Sequence, residues 1–444
     1  MRRLASARVA AEPLPRLRWW IGGLLGAGVL INYFDRISIS VAAPQLEHTF
    51  GLTPPQTGLL FSAFFWSYAL MQIPAGLLLD RWGVTRVGRW SALLWSAATA
   101  LTACAGGFLG IFLARLLLGM AEAPSFPASA KATGYWFPRS ERALSTALYD
   151  AGAKFSNVIG VPLVALAVVG LGWRWGFAVV AALSFAYFIV FYLMYRDPSR
   201  HPRLTRTERE YIGAGGGAPE GVAGESAAGM LLYLLGRRKV WGLFIGFAAY
   251  GYSFYLFLTW LPEYFVRSLH RSILASAGWA AVPWACASVS DLLVSGWLID
   301  HLIRKGHDET RVRKTVLVTC MCIGIAVLGA TTTTRPFIAL AWISLALSGI
   351  GAVGAVVWSL PSLIAPTGGA GTIGGIMNFA NNMMGVVAPI VTGYVVGRYH
   401  SFTVTFLVAG SVLLAGVAAY IFLLGRIEAL PEPVRAAPRP VPGT

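Results

Sequence analysis

Apolar residues run along this chain in long blocks, and shorter polar stretches separate them. A helix needs about 20 mostly apolar residues to cross a bilayer. Twelve blocks meet that length, at roughly 19–43, 54–79, 87–106, 108–131, 143–170, 174–195, 240–266, 273–303, 314–333, 336–364, 370–397 and 402–425. The pattern predicts an all-α membrane protein of twelve transmembrane helices in two six-helix bundles. One polar stretch breaks the rhythm: 196–239 holds Arg196, Arg200, Arg203, Arg206 and Arg209, a Gly/Ala-rich run, and Arg237 to Lys239. It reads as a linker with a short amphipathic helix near Thr205–Ile212. The expected organisation is a tail 1–18, a bundle 19–195, the linker 196–239, a bundle 240–425 and a tail 426–444. The Arg-studded start, followed by an apolar run too long for a signal-peptide core, reads as a retained anchor.

Composition supports the same solvent. Of 444 residues, 56% are hydrophobic and only 12% charged, where a soluble domain carries about 25% charged. The net charge of +16 would suggest nucleic acid in a soluble protein, but its placement argues otherwise. With both termini cytoplasmic, 27 of the 35 Lys and Arg fall on the cytoplasmic side and five on the opposite side; Arg36, Arg115 and Lys154 fall inside helices. That asymmetry sets the orientation and aims the positive charge at anionic headgroups, leaving no role for nucleic acid. The four cysteines lie in apolar runs and read as packing residues. No nucleophile triad, phosphate loop or metal-ligand spacing is present, so neither an enzyme nor a cofactor or metal is expected.

Four charges inside spanning blocks carry the chemistry: Asp35 and Arg36 in the first, Arg115 and Glu122 in the fourth. Each costs about 2.5–3.5 kcal/mol at bilayer depth even on the lenient insertion scale, and such residues mark ion or substrate paths. Arg115 and Glu122 are seven residues apart, hence on one helix face about 10.5 Å apart along the axis, so each needs a partner elsewhere. An arginine offers a planar, permanently charged fork for a carboxylate. A static ion-pair brace between helices is the competing reading.

The two halves also repeat a short pattern. GLLLDR at 76–81 follows the second block, and GWLIDH at 296–301 follows the eighth, each trailed by basic residues. Duplicated six-helix units are the architecture of secondary transporters, with the substrate site near the midplane.

GLLLDRWGVTR at 76–86 resembles the signature loop of the major facilitator superfamily. NYFDR at 32–36, YALMQIPAGLLLDRWG at 68–83 and RLLLGMAEAPSFPA at 115–128 resemble its anion:cation symporter branch, as do GWRWGF at 172–177 and GGIMNFANNMMGVVAPIVTG at 374–393. Within it, the chain is most similar to bacterial hexonate, hexuronate and aromatic-acid proton symporters. The resemblance implies proton-coupled import of an organic carboxylate by alternating access, in a multi-pass monomer of the bacterial cytoplasmic (inner) membrane. It implies proton coupling at Asp35 and Glu122 and anion contacts at Arg36 and Arg115, with Tyr33, Tyr68, Trp358 and Asn378 at further cavity positions. Gly76, Asp80, Arg81, Gly83 and Arg86, with Asp300 in the second half, match a cytoplasmic latch that governs conformation.

Lys154 departs from the branch, which carries a neutral residue near that place. Asp150 precedes it by four residues and could satisfy it; otherwise Lys154 adds a third cation. The five charges then sum to +1, or +3 with both acids protonated, which suits a dianion. An amphipathic-drug exporter on the same scaffold and a non-transporting sensor remain as alternatives. The paired arginines argue against the first.

Overall fold

The computed structural model describes residues 16–138, 141–217, 227–333, 335–366 and 369–432; within these, the side chains of Asp150, Lys154 and Asp300 lie outside the described set. The expectations for Lys154, its pairing with Asp150 and the carboxyl of Asp300 therefore fall outside the description.

The helices are α1 (Leu17–Phe50), α2 (Pro54–Ala103), α3 (Phe108–Glu122), α4 (Ser125–Trp136), α5 (Arg142–Leu171), α6 (Trp173–Met194), α7 (Arg206–Ala214) and α8 (Ala227–Leu235). After them come α9 (Arg238–Arg267), α10 (Ile273–Ser290), α11 (Ile299–Arg304), α12 (Glu309–Gly324), α13 (Pro336–Ile364), α14 (Ala370–Tyr399) and α15 (Thr403–Phe422). Ten stretches of the described helix are long and apolar enough to cross a membrane. One of them, the 50-residue α2, is long enough for two passes, and the apolar part of α5 (Phe155–Leu171) adds another. The chain is thus an all-helical, multi-pass membrane protein with the twelve-pass plan read from the sequence.

Its departures from regular helix have local causes. The second and third blocks are two helices that fold back on each other with no intervening loop, because Gly83 turns the chain at φ 75°, ψ 167°; Phe64 before it and Thr99 after it both reach the Asp35–Arg36 turn of α1. A side chain is strained there, whereas glycine adopts it freely. The fourth block breaks between α3 and α4 at Pro124, which has no N–H to continue the helical ladder. The eighth continues from α10 through a π-helical turn, Asp291–Leu298, into α11, and the ninth ends as a 3-10 helix, Ile325–Thr332.

Within the first half, α1 packs on α5 and α6, and α2 packs on α3 and α6. In the second, α9 packs on α14 and α15, and α13 packs on α10 and α12. Between halves, α2 meets α14, α5 meets α10 and α1 meets α9. The seam is tightest at the Phe50 end of α1. A Cβ on Gly58 of α2 would sit 2.5 Å from the Pro389 carbonyl, and one on Gly393 of α14 would sit 2.5 Å from the Pro54 carbonyl. The Phe61 and Trp260 rings meet edge-on at 5.1 Å, and Ser40 donates to the Thr259 carbonyl. Arg267 of α9 bonds both Glu263 on its own helix and Glu47 of α1.

At the opposite end, the stretch 205–217 folds against the first half. Thr205 caps α7, accepting from the Glu208 backbone N–H. The fully buried Glu208 carboxylate accepts from the Arg18 backbone N–H at 3.2 Å and from its guanidinium at 3.0 Å. Arg18 also grips Glu141 through two bonds of 2.7 and 3.0 Å, and Tyr211 donates to the same carboxylate. These bonds hold the Glu141 carboxyl below the usual glutamate range.

Candidate functional site

Between the halves lies a cavity of about 150 Å³. The first half contributes Tyr33 and Arg36 of α1, Tyr68 of α2, Phe126 of α4 and Ala153 of α5. The second contributes Phe247, Tyr250, Phe254 and Tyr255 of α9, Trp358 of α13, and Asn378, Asn381 and Asn382 of α14. One wall is thus cationic and phenolic; the other is aromatic and rich in amides.

Among the described residues, Arg36 is the charged side chain that lines this space. Its Nε donates to Glu122 Oε2 at 2.9 Å, and its guanidinium is boxed by the rings of Tyr33, Phe64 and Tyr68 at 4.6–4.9 Å. The boxing holds the fork in one orientation through contacts that favour arginine over lysine. Its Nη2 and the Oε1 of Glu122 are both buried and without a hydrogen-bond partner. An unmet donor costs about 1–3 kcal/mol, so the ion pair retains binding capacity on both members.

Arg115 points elsewhere. Its guanidinium donates to the carbonyls of Asp35 at 2.8 Å and Arg36 at 3.3 Å, and the residue is not among those lining the cavity. Arg115, expected as an anion contact, is thus turned to the α1 backbone in this conformation, while Arg36 lines the cavity. The spacing puts Arg115 and Glu122 on one face of α3, but that face meets the backbone of α1 over part of its length. Asp35 is also turned into the first half, where Thr99 donates to Oδ1 at 2.5 Å and Ser184 to Oδ2 at 2.8 Å.

The amides form a chain. Asn381 Nδ2 donates to the Tyr255 hydroxyl at 3.2 Å, that hydroxyl donates to Asn382 Oδ1 at 3.4 Å, and Asn382 Nδ2 donates to Asn378 Oδ1 at 3.0 Å. Asn381 Oδ1 is buried without a partner. Such a row presents donors and acceptors to a hydroxyl-bearing ligand. Trp358 is 47% exposed beside it.

At the linker end, Asp80 accepts a bond from Lys131 of α4, whose Nζ also donates to the Leu79 carbonyl at 3.2 Å. Asp80 is thus paired inside its own half. Arg81 and Arg86 are exposed and form no ion pair among the described residues, and Gly76 has open space beside it. Among the described residues, Asp80, Arg81 and Arg86 thus make no ion pair with the second half, and the closed seam lies at the other end.

The match to known proteins is decisive. The Major Facilitator Superfamily pattern matches residues 25–389. The chain belongs to the major facilitator superfamily. It is a membrane transporter and not an enzyme. An uncharacterized transporter of Bacillus subtilis is 42% identical over 412 residues, covering 93% of this chain and 95% of that protein. The D-galactonate transporter of Escherichia coli O6:H1 is 32% identical, with 94% and 98% covered. A probable sulfoacetate transporter of Cupriavidus necator is 33% identical, with 92% and 94% covered. Among solved structures, a bacterial homolog of the human lysosomal transporter Spinster, inward-facing and unoccupied, superposes with a TM-score of 0.70 at 19% identity, covering 93% of this chain and 96% of that one. The D-xylose-proton symporter gives 0.68 at 15%. These superpositions speak for the shared fold.

Some wall residues of this facilitator escape sequence reasoning. Tyr250, Phe254 and Tyr255 sit in an aromatic run of α9 that looks like ordinary core; only their spacing of four and five residues hints at a shared face. Nothing in the sequence marks Lys131 as the partner of Asp80.

Proposed function

We propose that this facilitator imports an organic carboxylate together with protons by alternating access. The observation that carries the reading is Arg36: a boxed guanidinium at the seam between the halves, tied to Glu122 on one edge and with an unmet donor on the other. The two moving bodies are 19–195 and 240–425, joined by 196–239, in a monomer of the bacterial inner membrane with both termini cytoplasmic. The closed Phe50 end is then periplasmic, and the conformation is inward-facing.

Charge balance supports the coupling. The Arg36–Glu122 pair is neutral overall. A carboxylate that takes Arg36 leaves Glu122 buried and uncompensated, a state worth several kcal/mol against binding. A proton on Glu122 removes that penalty, so anion and proton bind together more readily than either alone. Glu122 is the coupling group in this scheme and Arg36 the anion contact. Arg115 holds the α1 backbone that presents Arg36, and Asp35, with a hydroxyl on each oxygen, braces the same turn and takes part in coupling only on rearrangement. Lys154 remains a candidate third cation, one residue beyond cavity-lining Ala153.

Size and polarity favour a small hydroxylated acid. Drug-sized ligands occupy pockets of about 300–1,000 Å³, and this one is about 150 Å³. Asn378, Asn381, Tyr33, Tyr68 and Tyr255 suit hydroxyls; Trp358 offers a ring face. The relatives named for D-galactonate and galactarate/D-glucarate fall in that class, and the one named for sulfoacetate shares only the small carboxylate. The test is Glu122→Gln in proteoliposomes: counterflow of the carboxylate should persist while a pH gradient no longer concentrates it. Gradient-driven accumulation by that variant would refute the assignment, and absence of any ligand-dependent flux in the parent protein would favour a sensor.

A further inference from the structure

Away from the seam, a second cavity of about 700 Å³ opens between the part of α2 that follows Gly83, the end of α6 and the segment 196–202. The anion and proton groups proposed at the seam lie outside it. Its walls carry Arg86, Arg89, Arg196 and Arg200, with Asp197 the acid among the lining residues. Tyr195 donates to that Asp197 carboxylate. Arg89 is held in place: it donates to the Tyr192 and Tyr195 carbonyls at 3.0 and 3.4 Å, and its guanidinium lies 4.4 Å from the Tyr192 ring centre. Its Nε, and the Thr85 hydroxyl on the preceding turn, are buried without hydrogen-bond partners. Arg86, Arg196 and Arg200 are exposed and form no ion pair among the described residues.

The cavity is graded along its length. The arginines gather at the linker end, where the two helices leave the membrane. Leu93 and Phe188 line the part that runs toward the bilayer centre. Trp82 and Trp90, 45% and 58% exposed, flank the basic end, as indoles do at headgroup depth. A ligand that fits is anionic at one end and apolar at the other. Arginine forks match phosphate oxygens bidentately, and basic pockets between transmembrane helices take phosphorylated headgroups.

We propose that this cavity is a binding site for an anionic phospholipid, with its phosphate group or groups held by Arg86, Arg89, Arg196 and Arg200 and an acyl chain lying on Leu93 and Phe188. The proposal is independent of the transport reading, since it concerns one face of the first half and not the seam. The experiment is a lipid titration of the purified full chain in a neutral detergent, read by thermal unfolding and by native mass spectrometry. Cardiolipin and phosphatidylglycerol are compared with phosphatidylcholine and with inorganic phosphate. The anionic lipids should bind and raise the unfolding temperature; phosphatidylcholine and inorganic phosphate should not at the same concentrations. A basic residue near an anionic surface contributes about fivefold in affinity, so the double variant Arg196→Gln/Arg200→Gln should weaken binding by about 25-fold. Both side chains are exposed, so its lipid-free unfolding temperature should match the parent. Should the double variant unfold early, Arg86→Gln, exposed on the opposite wall, carries the test with an expected fivefold loss. Equal binding of phosphatidylcholine, unchanged affinity in the variants, or saturation by inorganic phosphate alone would each overturn the proposal.

Discussion

Gly58→Ala tests whether the α2–α14 crossing is what closes the Phe50 end. The added Cβ would lie 2.5 Å from the Pro389 carbonyl and 3.2 Å from Gly393 Cα, against the 3.4 Å at which ordinary contact begins. Both neighbours are backbone, so the helices must part by about 0.9 Å at that point. Overpacking of this kind costs about 1–3 kcal/mol. Alanine is a better helix former than glycine by about 1 kcal/mol, so α2 itself is not weakened. The cost falls on the closed seam alone and translates to a shift of about 5–150-fold toward conformations in which the Phe50 end is open. Spin labels at the exposed positions Thr49 and Arg398 span the seam, and pulsed dipolar spectroscopy reads their separation. The long-distance population should grow in Gly58→Ala. It should stay unchanged in Gly23→Ala, where a Cβ meets nothing within 4 Å. An unchanged distribution in a folded Gly58→Ala protein would refute the reasoning.

Other outcomes follow from ion pairs. Arg267→Ala leaves Glu263, buried on α9, beside Glu47 without its cation; breaking a buried pair costs about 3–5 kcal/mol, and the label distance across the seam should lengthen more than in Gly58→Ala. Arg18→Ala strands the fully buried Glu208, so its loss of stability should also be about 3–5 kcal/mol, whereas Arg206→Ala, partnered with Glu210 on the exposed face of α7, should cost less than about 0.5 kcal/mol; thermal unfolding separates the two. Glu141 is held below the ordinary value of 4.5 by Arg18, so the stability it lends is complete above that value and disappears as pH falls through its lower folded one. Thermal unfolding between pH 6 and 3 should therefore show a steeper acid loss in the parent than in Glu141→Gln; parallel curves would contradict the pairing.

The spanning helices were legible because lipid leaves few alternatives to long apolar blocks, and the four buried charges stood out for the same reason. What the sequence withheld is direction. Residue spacing puts Arg115 and Glu122 on one face of α3, yet only the placement of α1 relative to α3 decides that Glu122 meets Arg36 while Arg115 meets carbonyls. Asp35 and Arg36 are adjacent, so they point about 100° apart, and nothing local says which one faces the seam. The amide row on α14 could be read from spacing, but its link to Tyr255 is a contact between segments over a hundred residues apart. The loopless turn between the second and third blocks rests on Gly83, whose special backbone angle is invisible in a list of residue types.

The stapling of α7 to the first half shortens the tether between the halves. Within the polar stretch that begins at Arg196, Glu208 is anchored by Arg18 and the Gly216 carbonyl accepts from Arg142 of α5 at 2.8 Å, so on the proposed alternating access this stretch travels with the first half as far as Gly216. If the proposed rocking holds, spacers or reporter domains spliced after Gly217 should tune its throw, while the same splice before Thr205 would pry a rivet loose.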